Sequence, residues 1–231
     1  MLDLNDLMFR HEALNPALVP YLSSAPGFPA LRHPLVYMVP YFEQAAAMCN
    51  QQYAYKRREI RRLTKIGDYS GVVPLFERPY RTTPLMRYGP RMTDTAYWAT
   101  VGWAWCDTEN APECWLQWQQ LMSGPRAGRH QMMTEEEQHA FGAMPDIIPV
   151  YRGQTRGEPI HDFSWTLDIT VANWFANRYN NPNPIVLQGV VQKTDVIAYL
   201  SRRNEFEILV FPDHVMHVVE PPPPGYSRKS R

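Results

Sequence analysis

No stretch of 18 apolar residues occurs in the 231-residue chain, so a transmembrane helix is excluded. Cysteine is scarce. Cys49, Cys106 and Cys114 are an odd number with no CxxC spacing. A disulfide framework is therefore not expected, and a reducing, cytoplasmic setting is the default. No metal site is expected either. The first residues, MLDLNDLMFRHE, carry charges throughout and lack an apolar h-region, so no signal peptide is expected. An excess of either charge is absent too. Lys plus Arg and Asp plus Glu both number 23, so global charge singles out no partner, and no membrane association is expected. What is present is a hydrophobic fraction of 45%, enough to build a real core in one large domain or two small ones.

Residues 1–34 are interrupted by Pro16, Pro20, Pro26, Pro29 and Pro34. That spacing forbids a long helix and predicts a strap lying over the body. From residue 41 the pattern changes to good helix formers without Gly or Pro. A helix is predicted over about 41–66, ended by Gly67. Its second half carries Lys56, Arg57, Arg58, Arg61, Arg62 and Lys65 against Glu59. This is either a solvated face with cations near the helix C-terminus or a contact surface for nucleic acid or an acidic partner. A short helix broken by Pro74 is expected over 68–75, and residues 78–92 read as a Pro- and Arg-rich loop. Trp98, Trp103, Trp105, Trp115 and Trp118 lie in two segments, 96–105 and 114–121. Aromatics at three- and four-residue spacing read as helical core. Thr134 and Glu137 form a capping box that starts a helix reaching about residue 143. Residues 1–145 thus read as a mostly helical, Trp-rich part.

At Ile147 the periodicity switches to strand. Strands are expected over 147–153, 161–166, 185–192, 196–200, 206–211 and 215–219. One amphipathic helix intervenes over 167–179, with Asp168 as its N-cap. Val171, Ala172, Trp174, Phe175 and Ala176 are its apolar residues. Strands with a single intervening helix make an α+β pattern. Residues 220–231 read as a Pro-rich basic tail. The stretch RNEFEILVFP, from Arg203, places two carboxylates beside one aromatic, Phe206. In an extended chain Glu205 and Glu207 share a face. Two like charges that close repel, so the pair needs a cationic partner or gives up one charge. Alone, such a pair is also a common solvated strand end.

Three segments taken together carry a family resemblance. VYRG at 150–153 ends a strand in an arginine. SWT at 164–166 leads into VANWFA at 171–176. EFE at 205–207 opens a strand that runs to a proline. In this order and spacing the chain resembles ADP-ribosyltransferases of the Arg–Ser–Glu class. The resemblance covers about residues 146–219 and implies a core split between two sheets. It implies NAD as the donor substrate. One departure is Trp165, where the family often has a small Ser or Thr.

The resemblance implies roles that follow physical chemistry. Breaking the nicotinamide–ribose bond gives an oxocarbenium-like centre. Glu207 would stabilise it, and such preorganised groups are typically worth about 3–4 kcal/mol. Ser164 would hold Glu207 in place. Arg152 offers a planar, permanently charged fork to the pyrophosphate. Gly153 would let the backbone approach the nicotinamide amide, and Thr166 belongs to the same cofactor-binding set. Trp165, Trp174 or Phe163 would wall the flat ring, whereas Phe175 reads as core. Glu205 would accept a proton from the acceptor, which favours the guanidinium of a protein arginine. An RNA or DNA base amine remains a second acceptor class, with Phe206 as a stacking partner. A catalytically inactive binding module is a third reading. By analogy, a toxin or effector role and an inhibitory partner protein are implied.

Overall fold

A computed structural model describes residues 12–23, 27–108 and 111–220 of the chain. The protein is α+β, with two antiparallel sheets. The chain divides into two compact units, Met1–Leu121 and Met122–Arg231.

In the first unit, β1 (Leu22–Ser23), β2 (Ala30–His33) and β3 (Val36–Met38) form a small antiparallel sheet. Part of the expected strap is therefore strand. The long helix α1 spans Ala46–Ile66, entered through a 3-10 turn at Glu43–Ala45. Gly67 ends it at φ 78, a left-handed conformation that suits glycine. Leu18, Leu31, Val36, Cys49 and Tyr53 pack into one cluster beside it.

Residues 78–92 are not a loop. They form 3-10 turns at Arg78–Tyr80 and Gly89–Arg91 around α2 (Thr82–Tyr88). Pro79, Pro84 and Pro90 each fall in a first turn, where a missing N–H breaks no internal bond. Helices α3 (Asp94–Asp107) and α4 (Trp115–Met122) carry the tryptophans. Trp98, Trp105 and Trp118 are buried, with Trp105 edge-on to Trp118 at 5.1 Å. Trp103 is partly exposed, with the Arg81 guanidinium 5.0 Å from its ring.

In the second unit, α5 (Glu135–Gly142) starts with the capping box at Thr134 and Glu137. It groups with the strands, not with the Trp-rich helices, so the boundary lies before residue 145. The buried Glu137 carboxylate explains this. It accepts from Thr134 N at 2.8 Å and from Ser201 N at 2.7 Å, and meets Arg202 Nε at 3.2 Å. Strands β4 (Ile147–Thr155), β5 (Ser164–Thr166), β6 (Pro184–Gln192), β7 (Val196–Leu200), β8 (Glu207–Val210) and β9 (Met216–Val219) form a single sheet in the order β7-β8-β5-β4-β6-β9. The expected split core is thus one sheet by hydrogen bonding. Its middle is thin, since β4 and β5 pair at one register position, Tyr151 with Thr166. That seam separates β7-β8-β5 from β4-β6-β9. Ile148, Val150, Phe163, Trp165, Ile208 and Leu209 are buried on these strands and beside them.

Helix α6 spans Ile169–Asn177, shorter than 167–179, with Asp168 as its N-cap. Asp168 accepts from Thr170 N and Oγ1, both at 2.7 Å. These bonds hold its carboxyl below the usual aspartate range. The chain leaves the helix through Tyr179 and Asn180, both at positive φ. Of the proposed tail, Glu220 is described and pairs with Arg156 at 2.5 Å; residues 221–231 lie outside the described residues.

Candidate active site

The seam between β4 and β5 opens into a cleft of about 480 Å³, its open mouth included. Arg152 of β4, Ser164 of β5 and Glu207 of β8 all border it, although 55 residues of chain separate the first from the last.

Strand pairing brings them together. Thr166 stands opposite Glu207, and Ser164 opposite Leu209. Ser164 Oγ donates to Glu207 Oε1 at 2.5 Å. Glu207 is only 3% exposed, so this bond works in a dry environment. Arg152 Nη1 donates to Ser164 O at 2.7 Å, and Nη2 to Asp162 Oδ2 at 3.1 Å. Asp162 Oδ1 accepts from Ser164 N at 2.7 Å. Arg152 Nε meets Gln154 Oε1 at 3.2 Å. Three of the five guanidinium N–H groups are therefore engaged within the chain, and the fork is fixed rather than free.

The two glutamates do not share a face by strand alternation. Strand β8 begins at Glu207, and the loop before it turns through Asn204 and Phe206 at φ 57 and 47. Non-glycine residues in that region are strained and persist where neighbours hold them. Thr166 Oγ1 donates to Glu205 O at 2.6 Å, and Leu167 N to Phe206 O at 3.0 Å. Both glutamates border the cleft all the same. Their cationic partner is Arg203, with Nη2 2.6 Å from Glu205 Oε2 and 3.6 Å from Glu207 Oε2.

The other expected residues Gly153, Trp165 and Thr166 also line the cleft. Thr166 is buried, and its hydroxyl also accepts from Asp168 N at 3.1 Å, so it braces the 205–206 loop. Gly153 allows a close approach, but by α6. A Cβ there would lie 1.9 Å from Ala172 O and 2.5 Å from Ala176 N. This also explains why Ala172 and Ala176 are the buried residues of α6, while Trp174 is 60% exposed. Phe163, 1% exposed, does not line the cleft, whereas Trp165, equally buried, does. Phe175, expected in the core, borders the cleft instead. Arg178 lies over both Phe175 and Trp174, 5.9 and 5.3 Å from the ring centres, and makes no ion pair among the described residues.

Asp162, Arg203 and Phe175 were not expected in these roles. The demand of a glutamate pair for a cation was a usable signal for Arg203. Among the described residues no group of three or more His, Cys, Asp or Glu side chains gathers as a metal ion requires. No helix among them is long and apolar enough to cross a membrane. Comparisons with protein-family models, with curated proteins and with solved structures return no match.

Proposed function

We propose that the chain is a mono-ADP-ribosyltransferase that moves ADP-ribose from NAD to a guanidinium nitrogen of a protein arginine. One observation carries the reading: Arg152, Ser164 and Glu207, from three separate sequence motifs, converge on one cleft and are joined by direct hydrogen bonds. A sheet thinned at the β4–β5 seam also suits the divided core of that enzyme class.

NAD supplies a ribose–nicotinamide bond whose rupture places positive charge on the ribose. The buried Glu207 carboxylate, oriented by Ser164, faces the cleft where that charge would develop. Arg152 is oriented by Asp162 and holds the Ser164 carbonyl, so it fixes the serine and presents charge to an anionic donor. Phe175 gives the nicotinamide ring an aromatic neighbour, and Arg178 beside it adds a second cation for the pyrophosphate. In transfer, the C–N bond to nicotinamide breaks with its electron pair leaving on the ring. An acceptor nitrogen bonds to the ribose carbon, and its proton passes to Glu205. Glu205 already holds a guanidinium, that of Arg203, at 2.6 Å. An acceptor arginine would replace a group of its own kind there. A toxin or effector role is the use that the resemblance implies.

The test is incubation of the full chain with labelled NAD and cell lysate, followed by protease or nuclease. Label removed by protease supports the reading. Label removed by nuclease assigns the acceptor to nucleic acid. Neither label nor nicotinamide release means an inactive module.

A further inference from the structure

We infer that the outer face of α1, with the exposed arginines beyond its C-terminal end, binds single-stranded nucleic acid. This inference concerns the first unit and does not depend on the transferase reading.

Helix α1 turns Ala46, Ala47, Cys49, Tyr53 and Leu63 inward. Arg57, Arg58, Arg61, Arg62 and Lys65 remain exposed. Lys56 is set apart, since it pairs with Glu77 at 2.6 Å. Of the five exposed cations only Arg62 has a carboxylate partner among the described residues, Glu59 at 2.8 Å. At 1.5 Å rise per residue, Arg58 and Lys65 lie about 10 Å apart along the axis. Tyr55, 50% exposed, sits among them with the Arg58 guanidinium 5.6 Å from its ring.

The Arg-rich segment 78–91 adds to this end of the helix. Just past the Gly67 cap, the half-buried Tyr69 stacks on the buried Tyr88, with centroids 5.8 Å apart and planes 15° from parallel, so the pair seats arginines and leaves their outer planes to a ligand. Arg91 lies over Tyr69 at 5.8 Å, and Arg87 over Tyr88 at 5.2 Å. Both arginines are exposed and neither has a carboxylate partner among the described residues. Asp68 is the nearby anion, and its carboxylate accepts from Gly71 N at 2.9 Å.

The chemistry of this face selects its partner. Lys plus Arg equals Asp plus Glu over the chain, so a general polycation effect is excluded and any polyanion binding is local. A membrane surface would need an apolar face to insert, and the apolar face of α1 is packed inside. An acidic peptide would use charge alone. Guanidinium planes resting on tyrosine rings offer charge together with flat faces, the combination that pairs with phosphates and stacks on bases. Bases reach such faces only when unpaired, which selects a single strand over a duplex.

The experiment is fluorescence anisotropy with a labelled single-stranded RNA of mixed sequence, its duplex, and poly-glutamate of similar charge. The expected result is binding of the single strand in preference to both others. Affinity should fall with salt, and each phosphate contact contributes about 0.7 to the log–log slope. The variant R58A/R61A/K65A should therefore make the slope shallower by about 2. The lysine variant R58K/R61K/R62K keeps the charge and removes the planes, so it should weaken RNA binding and leave poly-glutamate unchanged. All four positions, 58, 61, 62 and 65, are exposed, and circular dichroism checks that both variants fold. No RNA binding at low salt overturns the inference. So does equal binding of poly-glutamate, or an unchanged slope in the alanine variant.

Discussion

Glu205 and Glu207 are two residues apart and border one cleft, yet their surroundings differ. Glu207 is 3% exposed and held by Ser164, while Glu205 is more open and held by Arg203. If one serves the donor and the other the acceptor, their variants separate. Glu207→Gln should abolish both nicotinamide release and transfer in a folded protein. Glu205→Gln should keep nicotinamide release and lose transfer by about 100- to 10,000-fold, the usual range of general-base help. Two rates measured on each variant decide it. If both fall together in Glu205→Gln, the division of labour is wrong. A second residue-scale prediction concerns His33 in the first unit. It is buried against Tyr21 and Tyr53, and its Nδ1 accepts from Leu35 N at 3.0 Å. Burial pushes its pKa below the ordinary value of 6.5. The unfolded chain therefore takes up the proton first as pH falls. The stability from the neutral ring is fully present above pH 6.5 and is lost as pH drops through the lower folded value. Thermal melts between pH 7.5 and 5 should show this loss, and His33→Gln should flatten it. Equal pH dependence in the variant would remove His33 as the cause.

Helix α6 and helix α5 each fix part of the cleft. Gly153 lets α6 sit directly on β4, with the backbone of Ala172 and Ala176 where a Cβ would lie. Backbone cannot move aside as a flexible side chain would. Gly153→Ala should cost about 3 kcal/mol, the upper end for overpacking, measured by urea unfolding. A loss below about 1 kcal/mol would mean the helix shifts freely. Helix α5 works through Glu137, whose carboxylate caps its own helix and holds Ser201 N and Arg202 at the head of the strained 201–206 loop. Both Glu137→Gln and Thr134→Ala disturb the cap, at about 1 kcal/mol. Only Glu137→Gln releases the loop that carries Arg203 and Glu205. Transfer should therefore fall in Glu137→Gln and hold in Thr134→Ala at a matched loss of melting temperature. Equal transfer rates would reduce Glu137 to a helix cap. The Gly67 terminus, the capping box and the Asp168 cap were legible in the sequence because each is a local hydrogen-bonding pattern. Segment 78–92 reads as a loop because prolines in a first turn look like helix breakers in a sequence.

Across the whole molecule, legibility followed distance along the chain. The strands at 184–192 and 196–200 declared themselves by β-branched runs, and the α+β class followed from them. The seam between β4 and β5 did not, because one pairing across 15 residues leaves no periodic trace. Asp162 could be named a partner of Arg152, and Phe175 a cleft residue, only once the strands were aligned. The unit boundary is the most consequential case. A composition shift placed it at residue 145, where strands begin, but Glu137 reaches Ser201, and Lys193 Nζ donates to Gly142 O and Met144 O. Two fragments test this. Residues 122–231 hold every site residue together with α5, and should unfold cooperatively and release nicotinamide from NAD. Residues 146–231 lose Glu137, the Met132 carbonyl that accepts from Arg202, and both acceptors of Lys193. These groups are only partly buried, so each left unpaired costs at most about 1–3 kcal/mol. Several such losses are comparable with the roughly 5–15 kcal/mol that holds a typical domain folded. The shorter fragment should therefore melt far lower or not fold, and should release no nicotinamide. If the two fragments are equally stable and active, the reach of Glu137 across 64 residues is dispensable, and the boundary belongs at the strands after all.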